Sequence, residues 1–298
     1  MNLVASLQDR LKNQSREKGI AYASLLEQFA LSRFLARLER SDFAERFILK
    51  GAQLFRFLNA EVHRPTRDAD FLSFGEHDPE ALQEIFTMIC QINPGEDDAL
   101  TWENIRAAAI REENRYGGVR VLVTCKLGNV RIPLQFDIGF GDVITPEIRY
   151  QKWSSPLDYP EVPLATYPLE TVVAEKLEAA VSLGINNSRM KDFYDLHWLQ
   201  SHLEFNGKVL TEAVTNTFAR RATPIPEETP VAFTEEFYTD EQKLLQWNAF
   251  VRKGKLTPLS LDKVVNDLSP FLLPLIRREV IGHQWTPLKN WHPLDQSA

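Results

Sequence analysis

The sequence predicts an α+β fold, in which a mixed sheet flanked by helices is followed by a helical carboxy-terminal domain. Three observations predict it. Apolar residues recur at helical spacing up to residue 40 and again after residue 168, a two-residue Gly128-Asn129 loop separates two alternating apolar runs, and prolines crowd residues 146–168. We therefore expect two domains, residues 1–160 with the amino-terminal helices and the sheet core, and residues 161–298 with further helices.

The first elements follow from spacing and turn residues. Helical spacing over residues 3–40 breaks near Gly19, which predicts two helices. The apolar run Phe47-Ile48-Leu49 predicts a strand, closed by Lys50-Gly51 and followed by a helical stretch over residues 52–58. The alternation from Asp68 to Phe74 predicts a short strand, and residues 79–92 return to helical period.

The clearest element is a hairpin over residues 119–138. A Gly128-Asn129 loop favours a tight turn and sets the register, so Val119 is expected opposite Ile138 on the apolar face. Asp137 then lies on the opposite face, with Arg131 and Gln135. Pro133 points its missing donor away from the hairpin partner, so pairing on the outer side should stop there.

The second half of the chain is predicted to be helical. We interpret residues 146–168, with five prolines, as a connector between the two halves. Helices are expected at residues 168–184, 191–204, 208–221, 238–254 and 260–281, with a loop from Pro224 to Glu236.

Composition restricts the functional classes. The 298 residues carry a formal charge of −7, which excludes a uniformly basic nucleic-acid-binding surface but leaves room for a local one. Cys90 and Cys125 are far apart, which argues against a disulfide framework and a cysteine zinc site. The amino terminus lacks the apolar stretch of a signal peptide and no membrane-spanning run occurs, so we expect a cytoplasmic protein without membrane contact. Dinucleotide-binding, P-loop and serine-hydrolase motifs are missing from the sequence.

Three aspartates are candidate metal ligands. Asp68 and Asp70 are separated by one residue on a predicted strand, so their side chains share a face and can share a cation. Asp137 ends a second strand and can complete a set of oxygen donors that suits Mg²⁺ better than zinc. Two alternatives stay open: nearby arginines, Arg64 and Arg67, can neutralise the pair, and Asp137 can be an ordinary polar residue on the wet face.

Lys176 is the most informative single residue. It falls on the apolar face of its predicted helix, and the positions three and four residues away carry no acid. Such a lysine either extends outward to water or meets a fixed anion, and we favour the anion. On the next predicted helix, Asp192 and Asp195 are neighbours on one side. Asp192 lies in the first turn of that helix, where the helix dipole favours an acidic side chain. Asp195 instead borders an apolar stripe.

These residues, in this order, resemble a known family. The matching segments are Phe47-Ile-Leu-Lys50-Gly51-Ala52, Arg64-Pro-Thr-Arg67-Asp68-Ala-Asp70-Phe71, Asp137 on the hairpin, Ala174-Glu-Lys176-Leu177 and Lys191-Asp192-Phe-Tyr-Asp195-Leu196. Over about residues 45–200 the chain is similar to the AbiEii/AbiGii toxins, which are nucleotidyltransferase-like toxins of bacterial type IV toxin–antitoxin and abortive-infection systems, related to the MenT toxins.

The resemblance implies a nucleotidyltransferase fold and a role for each segment. Asp68 and Asp70 would be the metal-binding pair, Asp137 the third carboxylate, Lys176 a contact to the triphosphate, and Asp192 or Asp195 the acid of the last motif. The nucleotide-binding set would comprise Lys50 and Gly51 in a phosphate-holding turn, together with Gln53, Arg67 and Lys176. The chain departs from the family at this turn, where the usual Gly-Gly-Ser/Thr is Gly51-Ala52-Gln53.

The resemblance also implies a reaction and partners. We expect Mg²⁺-dependent transfer of a nucleotide from an NTP to an acceptor hydroxyl, with transfer RNA as acceptor, in a toxin paired functionally with a winged-helix antitoxin. The arginine-bearing amino-terminal helices and Arg252, Lys253 and Lys255 are candidate phosphate-backbone contacts. Two alternatives stay open: a transferase of the same fold that modifies a protein or small molecule, and a catalytically silent binding module, which the altered turn would favour.

Overall fold

The computed structural model describes residues 2–58, 64, 66, 68–75, 77–110, 117–287 and 289–294. Contacts divide the chain into two compact units. The sheet unit comprises Met1–Gly141 and Ile148–Tyr167, and the helical unit comprises Asp142–Glu147 and Pro168–Ala298. The sheet unit therefore continues past residue 160, where the sequence analysis placed the domain boundary.

The sheet unit contains the following helices and strands in chain order: α1 (Leu3–Lys18), α2 (Tyr22–Glu39), β1 (Phe47–Lys50), β2 (Asp68–Ser73), α3 (Pro79–Gln91), β3 (Leu100–Ile110), β4 (Gly118–Leu127), β5 (Val130–Phe140), β6 (Arg149–Trp153) and β7 (Val162–Thr166). A 3₁₀ segment over Gly51–Leu58 follows β1 directly. Both amino-terminal helices occur as predicted, and Gly19 ends α1 in the left-handed conformation.

The helical unit contains α4 (Leu169–Leu183), α5 (Met190–His202), β8 (Phe205–Asn206), α6 (Gly207–Arg220), α7 (Glu235–Thr239), α8 (Glu241–Gly254), α9 (Leu261–Ile276), β9 (His283–Thr286) and β10 (Asn290–Pro293). The predicted helix over residues 238–254 is divided at Asp240, whose side chain accepts a hydrogen bond from the backbone N–H of Lys243 and so caps α8. The helix predicted over residues 260–281 ends earlier, at Ile276.

Among the described residues, seven strands form a mixed sheet in the order β3-β4-β5-β2-β1-β7-β6. The β4–β5 register is the predicted one, with Val119 opposite Ile138. On its other edge β5 pairs with β2 in parallel from Gln135 onward, which confirms that pairing on that edge does not include Pro133. Antiparallel β1 lies on the far side of β2.

The two faces of this sheet differ in character. Phe136 packs on one face against Phe34 of α2 and Phe86 of α3, with ring centroids 4.4 and 5.2 Å away. Buried aromatic pairs of this kind supply much of the apolar area that stabilises a core. Because side chains alternate along a strand, Asp137, the next residue after Phe136, lies on the other face.

Buried arginines of α2 correct one prediction. Arg33 and Arg37 are 1% and 5% exposed, and both bind the carboxylate of Asp98, with closest distances of 3.1 and 2.6 Å. A buried arginine needs such a partner because an isolated charge is costly to remove from water. The sequence analysis proposed that arginines of this helix contact a phosphate backbone. These two arginines instead hold α2 in the core and are not available for such a contact.

Several predicted loops contain strands. The proline-rich residues 146–168, interpreted as a connector, include β6 and β7, and Pro163 is tolerated because β7 pairs with β1 only at Thr166. Strand β3 was not predicted, and the helical half contains a small sheet of β8, β9 and β10. Cys90 and Cys125 are buried free thiols. No helix among the described residues is long and apolar enough to cross a bilayer.

Candidate active site

A tight turn at the end of β1 brings the backbone against the first carboxylates. Gly51 has φ of +71°, and a side-chain carbon added there would overlap the Asp70 carboxylate. Only glycine provides both the left-handed backbone and the space. The turn predicted at Lys50-Gly51 is therefore in direct contact with the predicted metal-binding pair.

Gln53 fills the position where the family has a small hydroxyl residue. Its side chain is 3% exposed, and Nε2 donates to the backbone carbonyl of Asp68 over 3.2 Å. The residue thus ties the 3₁₀ segment to the start of β2. In the structure the side-chain amide nitrogen of Gln53 is hydrogen-bonded within the protein, to the strand that carries the aspartates.

A row of charged residues crosses four neighbouring strands. Cross-strand pairing places Lys50 of β1 opposite Asp70 of β2, Asp70 opposite Asp137 of β5, and Asp137 opposite Arg120 of β4. Side chains directly opposite each other lie on the same face of a sheet. The row is therefore a cation, two carboxylates and a cation, and Asp68 lies on the same face two residues before Asp70.

Asp137 is tightly bound inside this row. Its two carboxylate oxygens accept hydrogen bonds from Nε and Nη2 of Arg120, both at 2.8 Å, and Nε2 of Gln135 lies 3.3 Å from each oxygen. The hydrogen bond to Asp137 raises the pKa of Arg120, burial opposes that shift, and the charges of Asp137, Asp68 and Asp70 add to it. All three aspartates therefore act electrostatically on one guanidinium.

The donor types fit a hard cation, although the side chains do not converge on one. Asp68 and Asp70 supply carboxylate oxygens on a shared face, which is the chemistry that Mg²⁺ prefers. Within the described ranges, however, no three His, Cys, Asp or Glu side chains are grouped closely enough to hold a metal ion. Asp137 shares the face but has both oxygens engaged by Arg120.

In the helical unit, Lys176 meets the fixed anion that its helical position suggested. Its Nζ lies 2.5 Å from the Asp192 carboxylate and 2.9 Å from that of Asp195, so both partners come from α5. Arg189 also binds Asp192, over 3.2 Å. Burial favours a higher pKa for Asp192, but the charges of Lys176 and Arg189 outweigh it, and the pKa lies below its ordinary value.

The structure thus brings most of the candidate residues into two groups. Lys50, Gly51, Gln53, Asp68, Asp70 and Asp137 belong to the sheet unit, whereas Lys176, Asp192 and Asp195 belong to the helical unit. Arg67, the remaining member of the nucleotide-binding set, lies outside the described residues. The basic residues Arg252, Lys253 and Lys255 are exposed at the end of α8.

Arg120 is the residue of this site that the sequence analysis missed. The signal was present in the predicted hairpin register, because Val119 opposite Ile138 and Val121 opposite Phe136 place Arg120 opposite Asp137.

Comparisons with known proteins relate this chain to nucleotidyltransferases. A family model described as "Nucleotidyl transferase AbiEii toxin, Type IV TA system" matches residues 33–267. No curated protein matches. Two solved structures are similar: a candidate nucleotidyltransferase from H. pylori, at 15% identity over 85% of this chain and 95% of that one with a TM-score of 0.48, and JHP933 from Helicobacter pylori, at 14% identity over 83% and 89% with a TM-score of 0.47.

Proposed function

Because the chain belongs to the AbiEii family of nucleotidyl transferase toxins of type IV toxin–antitoxin systems, we propose that it transfers a nucleotide from an NTP to a hydroxyl of transfer RNA. The single observation that carries this proposal is the charged row Lys50–Asp70–Asp137–Arg120, with Asp68 beside it and the Gly51 backbone packed against Asp70. This row combines carboxylates for a cation with basic groups for phosphates.

The proposed reaction needs no covalent nucleophile from the protein. The acceptor hydroxyl oxygen attacks the α-phosphorus, a new phosphoester bond forms, the bond from the α-phosphorus to the bridging oxygen breaks, and pyrophosphate leaves while the hydroxyl proton passes to solvent. Asp68 and Asp70 would hold Mg²⁺, with Asp137 as the third carboxylate of the family pattern. When bound, that cation supplies charge neutralisation at the transferring phosphate.

The turn after β1 would hold the phosphates. Gly51 allows the backbone to approach closely, and the Nζ of Lys50 lies 4.9 Å from the ring centroid of Tyr167, which keeps this cation at the start of the turn. Gln53 would affect the site through β2, since its side-chain amide donates a hydrogen bond to the backbone carbonyl of Asp68. Arg67 stays a proposed nucleotide contact on the basis of the family motif alone.

Lys176 stays a proposed contact to the triphosphate, and Asp192 and Asp195 the proposed acids of the last motif. The two carboxylates fix the lysine, which is 13% exposed, so it keeps a defined position without a ligand. A triphosphate would compete with them for this ammonium group. The pairing supports a role in which α5 positions the lysine for the nucleotide.

The acceptor and the partner are proposed from the resemblance to the family. For the RNA backbone we propose the exposed Arg252, Lys253 and Lys255 as contacts, since charge neutralisation provides most sequence-independent affinity for nucleic acid. We also propose a functional pairing with a winged-helix antitoxin. The Gly51-Ala52-Gln53 turn favours one alternative, a catalytically silent binding module, because Gln53 is engaged with Asp68 instead of offering a small hydroxyl.

The test is label transfer from each α-labelled NTP in the presence of Mg²⁺, with and without transfer RNA. We expect label on the RNA with the wild type, and loss by about a hundredfold or more with Asp70→Ala and Lys176→Ala. An Asp158→Ala variant, at an almost fully exposed position, is the control. Transfer that survives both substitutions would contradict the site assignment. Transfer only to a protein or small molecule would favour a transferase of the same fold with another acceptor, and no transfer to any acceptor would favour the silent binding module.

A further inference from the structure

The sheet face that carries the charged row extends beyond that row, over strands β5, β4 and β3. Gln135 of β5 pairs with Asp68 on one side and with Leu122 of β4 on the other. Leu122 in turn pairs with Arg106 of β3. A second row therefore runs beside the first one, on the same face. Because neighbouring strands lie about 4.8 Å apart, the backbone of Arg106 is about 14 Å from that of Asp68.

Every charged side chain of β3, β4 and β5 lies on this face. The three strands carry four bases and two acids, which are Arg106, Arg120, Lys126, Arg131, Glu103 and Asp137. Their opposite face is apolar and packs against α2 and α3. The charged face of these strands is therefore locally positive, although the formal charge of the whole chain is −7.

The acids of this face do not balance its bases. Asp137 is bound to Arg120. Glu103 is shared by two bases, since its carboxylate lies 3.4 Å from Lys126 and 3.8 Å from Arg131. Ion pairs at exposed positions contribute little free energy, so another anion can replace such a partner at little cost. A ligand with several negative charges is therefore the kind of partner that this face attracts.

The side chains of this face are accessible to a large ligand. Arg106 and Pro133 are exposed, and the side chain of Arg131 is 73% exposed. Leu122 lies between them and is 46% exposed, so apolar surface adjoins the basic groups. A single RNA strand presents both negative phosphates and apolar base faces, which are the two properties that this surface complements.

We propose that the acceptor segment of an RNA lies across this face, with Arg106 and Arg131 as contacts to its phosphates. The inference rests on the proposed function and names the surface along which the acceptor reaches the charged row. An RNA bound here is directed toward Asp68 and Asp70, because the two rows are adjacent on one face. The two arginines bind the acceptor and take no part in making or breaking a bond.

The experiment measures the binding of fluorescently labelled transfer RNA to the full chain by anisotropy, without NTP, at a series of salt concentrations. The slope of log affinity against log salt reports how many phosphate contacts are made. For Arg106→Gln/Arg131→Gln we expect a slope lower by about 1.4–1.8 and binding at least about tenfold weaker at low salt. The control Arg277→Gln/Lys289→Gln removes the same charge from exposed positions of the helical unit and should keep the wild-type slope.

An unchanged slope in the Arg106→Gln/Arg131→Gln variant, or an equal change in the control, would overturn the proposal. So would a wild type that does not bind RNA. Competition by polyglutamate as efficient as that by unlabelled RNA would also overturn it, because an acidic protein would then fit the face equally well. If RNA binds through this face but no nucleotide is transferred, the proposed function fails while the binding surface remains. If label transfer to RNA occurs with an unchanged slope, only the surface is wrong.

Discussion

Gly51 is the residue at which backbone conformation and proposed chemistry meet. Its φ is +71° and its α-carbon packs against the Asp70 carboxylate. The sequence predicted the turn from Lys50-Gly51 after an apolar run, but not which side chain the glycine touches, because that depends on how β1 pairs with β2. The contact brings the turn and the aspartates together, which supports the proposal that they form one site.

Substitution of this glycine separates steric from conformational effects. Gly51→Ala is expected to displace the Asp70 carboxylate and to lower nucleotide transfer by about a hundredfold or more. Gly19→Ala is the matched control, since Gly19 has φ of +64° and nothing within 4 Å of an added carbon. Both variants carry a similar backbone cost of about 1 kcal/mol in the free energy of unfolding.

Transfer assays and thermal unfolding on both variants provide the comparison. If Gly51→Ala and Gly19→Ala lose activity equally, the contact between Gly51 and Asp70 does not matter for the reaction.

Arg120 shows what residue-level reasoning can extract from a sequence. The register of the hairpin is set by a two-residue loop and confirmed at every pair from Val119 to Leu127, so the neighbour of Asp137 was available from the sequence. The contact of Gln53 could not be predicted in this way. Its hydrogen bond reaches across the turn to the Asp68 carbonyl, and no local sequence pattern indicates it.

Helix α2 shows how charged side chains are buried in the sheet unit. Arg33 and Arg37 are one helical turn apart and share the Asp98 carboxylate, which also accepts a hydrogen bond from the backbone N–H of Leu100. An aspartate far along the chain thus fixes α2 at the start of β3. Periodicity showed the helix, but not that two of its arginines point inward.

Removal of that carboxylate is expected to destabilise the sheet unit strongly. Asp98→Ala leaves two buried guanidinium groups without their shared partner, and we expect a loss of about 3–5 kcal/mol in the free energy of unfolding. Urea denaturation measures it. Asp158→Ala, which removes an exposed partner of Arg10, is the control and should leave the unfolding midpoint unchanged. Equal stabilities of the two variants would contradict this account of α2.

The strands that the sequence analysis missed have a common property: their apolar and polar residues do not alternate clearly. Strand β3 is largely exposed and carries an irregularity between Glu103 and Arg106, so its apolar alternation is weak. Strand β6 is the edge strand, where polar residues are tolerated, and Pro163 is tolerated in the neighbouring β7 because that strand pairs with β1 only at Thr166. The clear hairpin β4–β5, by contrast, is central and alternates strictly. Periodicity detects strands with one buried face and misses those at the margins.

The sequence predicted that a mixed sheet in the first half of the chain is followed by a helical second half. The connector prolines suggested a boundary after residue 160, whereas β7 carries the sheet unit on to Tyr167 and residues 142–147 belong to the helical unit. Proline content marks irregular backbone but cannot reveal which hydrogen bonds a segment makes elsewhere. The net charge of −7 likewise hides a local pattern, in which two carboxylates lie between two basic groups across one sheet face.

Nucleotidyl transfer can be measured directly with NTP labelled separately at the α- and γ-phosphates, in the presence of transfer RNA and Mg²⁺. Nucleotidyl transfer predicts that the α-label appears on the RNA and the γ-label appears in pyrophosphate in equal amounts. Both signals should be lost together in Asp70→Ala, while Asp158→Ala retains them. A γ-label found on the acceptor, or α-label transfer that persists without Asp70, would contradict the account.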